Sequence, residues 1–139
     1  MESVLTQAKD QRKSPFSAEE LQTFRNLIEK KIEDAVEEID YLSNSIKEMR
    51  ENSAADFSSI QHHFADISSS DAAIHVNLRL LERTEKFVKQ LRRALHRIDK
   101  GTYGICKVTG KPISKERLLA APHTQHSIEA KLMRTQSLN

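Results

Sequence analysis

The stretch SAEELQTFRNLIEKKIEDAVEEIDYLSNSIKEMRE, residues 17–51, decides the architecture. Its apolar residues fall at Leu21, Phe24, Ile28, Ile32, Ala35, Ile39, Leu42, Ile46 and Met49. The steps are threes and fours, close to the ~3.5-residue period of a coiled-coil seam. No Gly or Pro interrupts them. Ser17 with Glu20 three residues on makes a capping box, and Phe16 with Leu21 a hydrophobic staple. Glu19 and Glu20 place negative charge at the positive end of the helix dipole. One helix over about 18–51 is expected, roughly 50 Å long at ~1.5 Å per residue.

Upstream, residues 1–16 are polar and unpatterned and read as a flexible N-terminal tail. They lack the apolar core of a secretory signal. Downstream, NSAADFSSIQHHFADISSS (residues 52–70) breaks the period with six Ser, residues that compete for backbone hydrogen bonds and favour turns and caps. It reads as a tip at about 52–71, with Ser69, Ser70 or Asp71 capping a second helix. That helix carries Leu80, Leu81, Thr84, Phe87, Val88, Leu91, Leu95 and Ile98. Gly101 fits the left-handed position that ends it. Two long helices joined by such a tip fold back antiparallel, so residues 17–100 read as a two-helix coiled coil.

Residues 101–139 follow as a small module. Tyr103 to Gly110 alternates briefly and turns at Thr109-Gly110, a short β-hairpin. Ser114 caps a short helix that Pro122 stops, and a last helix is expected over about 126–136. The fold class is therefore mainly α: a long antiparallel coiled coil plus a small C-terminal module.

Charge is split along the chain. Residues 17–71 carry 13 acids against 5 bases, and residues 72–139 carry 14 bases against 5 acids. Such a split suits two segments that pair lengthwise. With one Cys no intrachain disulfide forms, which fits a cytoplasmic protein. No apolar run approaches the ~20 residues of a membrane span.

The string Tyr103-Gly104-x-Cys106-x-x-Thr109-Gly110-x-Pro112-Ile113, then Arg117-Leu118-x-Ala120-x-Pro122, resembles the C-terminal finger of the DksA/TraR family. The family pattern is Y-G-x-C-x-x-C-G-x-x-I, R-L-x-A-x-P and C-x-x-C, and in the family it follows a long helix pair with a tip. The resemblance maps the four zinc thiolates onto Cys106, Thr109, Ser127 and Ala130. Three are lost, so the finger is expected to fold without zinc and to carry no cofactor. His123 and His126 are the residues that would have to join Cys106 in an irregular three-ligand site. An apolar core of Tyr103, Ile105, Val108, Ile113, Leu118, Leu119, Ile128 and Leu132 is expected to compensate, with a Thr109–Ser127 hydrogen bond filling part of the old site. Cys106 then reads as a small buried hydrophobe.

The resemblance implies a transcription regulator that binds RNA polymerase and inserts its coiled-coil tip into the secondary channel. The family's tip motif D-x-x-D-x-A matches Ser68-Ser-Ser-Asp71-Ala-Ala73, while counting back from the finger favours Asp66. Asp71 and Ala73 are the first choice, Asp66 the second. The resemblance also implies contact with polymerase or the alarmone ppGpp through the positions occupied by Arg83, Lys86, Gln90 and Lys131. A monomer acting on polymerase, with no sequence-specific DNA binding and no membrane contact, is expected.

Two other classes stay open. One is a nucleic-acid-binding module using the basic half, which has few aromatics for stacking and no helix-turn-helix signature. The other is a structural coiled-coil adaptor. An enzyme is not expected: there is no Gly-rich phosphate loop, nucleophile triad or carboxylate constellation.

Overall fold

The structure, a computed structural model, describes residues 13–55 and 64–137. Its elements are α1 (Ala18–Ala55), α2 (Phe64–Lys100), α3 (Lys115–Ala120) and α4 (Ile128–Ser137). The fold is mainly helical, a long helical hairpin with a small C-terminal module. The chain divides into two compact units, one holding residues up to Lys31 and from Gln90 onward, the other Ile32–Lys89.

The capping box expected at the start of α1 forms, while Phe16, expected to pair with Leu21, is found on Phe24. The Ser17 amide donates to Glu20 Oε1 at 3.3 Å and the Glu20 amide to Ser17 Oγ at 3.2 Å. Two of the otherwise unsatisfied N–H groups of the first turn are thereby met. Phe16 spends its ring on Phe24, with centroids 5.1 Å apart at 63°. The last expected tail residues are tied down, because the Ser14 amide donates to the Gly101 carbonyl at 2.7 Å.

In the unit of residues 32–89, Ala35, Leu42 and Ile46 of α1 and Ile74 and Val88 of α2 are buried. The first three are seam positions. Asn77 Nδ2 of α2 reaches Ser45 Oγ of α1 at 3.5 Å. The expected tip shrinks: α1 continues to Ala55 and α2 already begins at Phe64. Ser68, Ser69 and Ser70 are helical, because a serine costs a helix only some tenths of a kcal/mol against Ala. Residues 56–63 lie outside the described residues.

The other unit collects Phe24 and Ile28 of α1, Leu91, Ala94 and Ile98 of α2, and Tyr103, Cys106, Ile113, Leu118, Pro122 and Ala130 of the module. The α2 C-terminus closes as a Schellman motif. The Thr102 amide donates to the Arg97 carbonyl at 2.9 Å, the Gly101 amide to Ile98 at 3.1 Å, and Gly101 takes φ +77°. Arg25 of α1 pairs with Asp99 of α2, and Lys115 pairs with Glu20 at 2.5 Å.

The expected apolar core of the module needs correction. Tyr103, Ile113 and Leu118 are buried, but Val108 (60% exposed), Leu119 (49%), Ile128 (55%) and Leu132 (57%) are not. Buried in the module beside those three are Cys106, Ala130 and Pro122. The hairpin is likewise reduced to a single bridge, Ile105 to Pro112.

Candidate functional site

The finger is organised around one sulfur. Gly110 takes φ +72°, which lets the chain turn back so that the Cys106 amide donates to the Lys111 carbonyl at 2.8 Å and the Gly110 amide to the Cys106 carbonyl at 2.9 Å. This turn aims the Thr109 amide at Cys106 Sγ, 3.5 Å away. From the start of α4 the Ser127 amide reaches the same sulfur at 3.4 Å. Cys106 is 1% exposed. Burial pushes its thiol up, but the amides and hydroxyls of Ser127 and Thr109 outweigh burial and bring it down to about 6.

The expected Thr109–Ser127 bond is replaced by local ones. Thr109 Oγ1 accepts from the Lys111 amide at 3.3 Å, and Ser127 Oγ accepts from the Ala130 amide at 3.1 Å, capping α4. The two positions meet through the sulfur instead. Cys106 is thus a buried residue with a polar, hydrogen-bonded sulfur rather than a plain hydrophobe.

The segment 122–126 lies behind this knuckle and is held at its carbonyls. Tyr103 Oη donates to Pro122 at 2.8 Å, an Arg97 guanidinium nitrogen to His123 at 3.2 Å, the Lys107 amide to Gln125 at 2.8 Å, and Arg117 Nε to His126 at 2.7 Å. Burial raises the Tyr103 phenol well above its ordinary value. Burial first, then the nearby Arg97, Lys31 and Arg117, lowers His123. The structural work of Arg97 and Arg117 was not legible in the sequence, because arginine usually signals surface. The Arg117-Leu118 dipeptide of the motif was the available hint.

Among the described residues no three His, Cys, Asp or Glu side chains gather as a metal-holding group. His123 and His126 therefore do not join Cys106 in a ligand set. Of the tip residues, Asp71 is exposed and Ala73 partly so. Asp71 lies seven residues inside α2, so it is not the helix cap. The side chain of Asp66 lies outside the described residues. Arg83, Lys86, Gln90 and Lys131 are all exposed; the first two belong to one unit and the last two to the other.

Residues 101–131 match the family described as prokaryotic dksA/traR C4-type zinc finger. The RNA polymerase-binding transcription factor DksA of Caulobacter vibrioides is 39% identical over 66 residues, 48% of this chain and 46% of that protein. General stress protein 16O of Bacillus subtilis (strain 168) is 31% identical over 101 residues, 73% of this chain and 53% of that protein. The solved structure of transcription factor DksA2 from Pseudomonas aeruginosa gives a TM-score of 0.74 at 27% identity, over 87% of both chains. The chain belongs to the DksA/TraR family. It spans about half the length of the curated relatives it matches.

Membership corrects the expectation of a finger with no cofactor. The matched DksA/TraR family model is a C4-type zinc finger, which indicates zinc binding for the family and overturns that expectation at the family level. A C4 site takes four thiolates in a tetrahedron. At the DksA/TraR ligand positions this chain offers the Cys106 sulfur, the Thr109 and Ser127 hydroxyls and the Ala130 methyl, and these do not make a C4 donor set.

Proposed function

We propose that this chain is a non-enzymatic transcription regulator that binds RNA polymerase and acts through the end of its helical hairpin in the secondary channel. The observation that carries this reading is the likeness to the DksA2 structure along 87% of the chain, hairpin and finger together. Physical reasoning supports it. Helices α1 and α2 have 38 and 37 residues, ~55 Å each at ~1.5 Å per residue, long enough to reach a recessed centre. An acid there would act on a magnesium-bearing site by charge and hydrogen bonding.

Asp71 and Ala73 are the proposed contact residues, with Asp66 as the alternative acid. Arg83, Lys86 and Lys131, with Gln90 between the bases in sequence, are proposed to meet polymerase or ppGpp at its rim. The protein is proposed to work as a cytoplasmic monomer. No helix among the described residues is long and apolar enough to cross a membrane.

The test is a purified system. The chain should co-migrate with RNA polymerase and change initiation from a regulated promoter. Asp71→Asn should abolish the change while leaving co-migration intact. An Asp71→Asn protein that regulates normally removes this residue from the mechanism, and loss of co-migration by the parent chain removes the function itself.

A further inference from the structure

The last turns of α2 carry their buried residues on one side and their cations on the other. Leu91, Ala94 and Ile98 are buried, while Arg92, Arg93, His96 and Lys100 are exposed. At ~100° per residue the exposed four fall within about 60° of the direction opposite the buried three. Arg92, His96 and Lys100 make one row at four-residue steps, ~6 Å apart along the axis. The one acid of these turns, Asp99, is paired with Arg25 of α1. The finger adds to the same field: residues 90–137 hold ten Lys and Arg against three Asp and Glu.

The make-up of this face selects its partner. It has no apolar side chain, whereas the core of a protein–protein interface is built from them. Nor does it carry the Trp, Phe or Leu by which a basic helix beds into a lipid surface. Protein–DNA interfaces are more polar and more positively charged than protein–protein ones. Arginine forks match phosphate oxygens in pairs, and a lysine adds a mobile point charge. Unpaired strands need aromatic platforms for their bases. In this unit the described Phe and Tyr residues, Phe16, Phe24 and Tyr103, pack on one another instead.

We propose that this outward face of α2 binds the phosphate backbone of double-stranded DNA without reading base sequence. Over the ~12 Å from Arg92 to Lys100 a duplex presents about seven charges, so each of the three fixed cations finds a phosphate. His96, between them, adds a ring N–H donor. The phosphates run along the side of the helix, clear of its carbonyl end, which is negative. The chain has no helix-turn-helix to set a helix into the major groove, so base edges stay unread. None of the four residues is among those proposed above to meet polymerase. The binding needs no polymerase, so it stands or falls apart from the proposed function.

The experiment is a titration of a labelled duplex of about 20 base pairs with the full chain, read by fluorescence anisotropy from about 20 to 200 mM sodium chloride. The logarithm of affinity should fall against the logarithm of salt with a slope of about −2.7, three phosphates at ~0.9 each. Arg92→Gln with Lys100→Gln, both exposed, should keep the circular dichroism spectrum and bring the slope to about −1. If that pair loses helix content, Arg92→Gln alone carries the test, with a slope reduced by about one. Lys47→Gln with Arg50→Gln removes the same charge from exposed positions of α1 and should leave the slope as in the parent. Two duplexes of unrelated sequence should bind equally. The proposal is overturned by no binding at the lowest salt, by equal loss of slope in the two double variants, or by a tenfold preference between the duplexes. Tighter binding of a single strand of the same length also overturns it. So does displacement of the duplex by anionic phospholipid vesicles at a lower phosphate concentration, in favour of a membrane surface.

Discussion

Substituting Gly104 by alanine tests how the finger is seated. Gly104 takes φ +89°, a region that costs a residue with a Cβ about 1–2 kcal/mol. A Cβ there also runs into the Phe16 ring, which already packs on Phe24. Forcing an extra carbon into such a contact costs a further ~1–3 kcal/mol. Gly110 provides the control, since it takes φ +72° with no atom within 4 Å of its would-be Cβ. Gly104→Ala should therefore lose about 2–5 kcal/mol and Gly110→Ala about 1–2. With a urea m-value of roughly 2 kcal/mol per molar, the Gly104→Ala midpoint falls by about 1–2.5 M. The excess over Gly110→Ala should shrink in a Phe16→Ala background, because the ring it strikes is gone. Equal midpoints for Gly104→Ala and Gly110→Ala would refute the claim that Phe16 seats on this glycine.

Cys106 gives a pH test. Its thiol is lowered from 9.0 to about 6 in the folded chain, so the stabilisation is complete above 9 and lost as pH falls through 6. Urea midpoints of the parent should rise from pH 6 to 9 relative to Cys106→Ala, and parallel curves would rule out a stabilised thiolate. At neutral pH Cys106→Ala should cost about 1–3 kcal/mol, since the Thr109 and Ser127 amides lose their acceptor, and Cys106→Ser should recover part of it. Ser17→Ala should cost about 1 kcal/mol by urea melt, as the Glu20 amide loses its cap. Glu20 is held below the usual carboxylate range by Lys115 first and the Ser17 amide next, so its contribution disappears as pH falls through that lowered value. Glu20→Gln should flatten that acid limb. Tyr103→Phe should cost about 1–2 kcal/mol with no change in helix content by circular dichroism, because only the Pro122 carbonyl loses its donor.

What the sequence disclosed follows from the range of the interactions involved. The seam of α1 and its capped start depend on neighbours three and four residues apart, and residues 17–51 show them directly. The end of α1 and the start of α2 were misplaced because serine and alanine runs carry no period, and helix continuation there rests on small propensities summed over many residues. Inside the finger, hydrophobicity was a poor guide. Val108 and Ile128 face outward while Cys106 and Ala130 sit inside, since the knuckle geometry dictates which side chains point in. The convergence of the Thr109 and Ser127 amides on one sulfur joins positions far apart in sequence, and no local pattern announces it.

The seating of the finger has a consequence for how it folds. Its root, residues 101–104, receives the Ser14 amide at the Gly101 carbonyl, carries the cap of α2 and lies against Phe16 at Gly104. Tyr103 then packs on Phe24 at 5.3 Å between ring centroids. The buried side chains of this unit thus come from both ends of the hairpin as well as from the module. A module of roughly 40 residues supplies too little buried apolar surface to hold itself together. In this chain the missing surface is on α1 and α2, at Phe24, Ile28, Leu91, Ala94 and Ile98, so the knuckle at Cys106 is expected to hold only while packed against them.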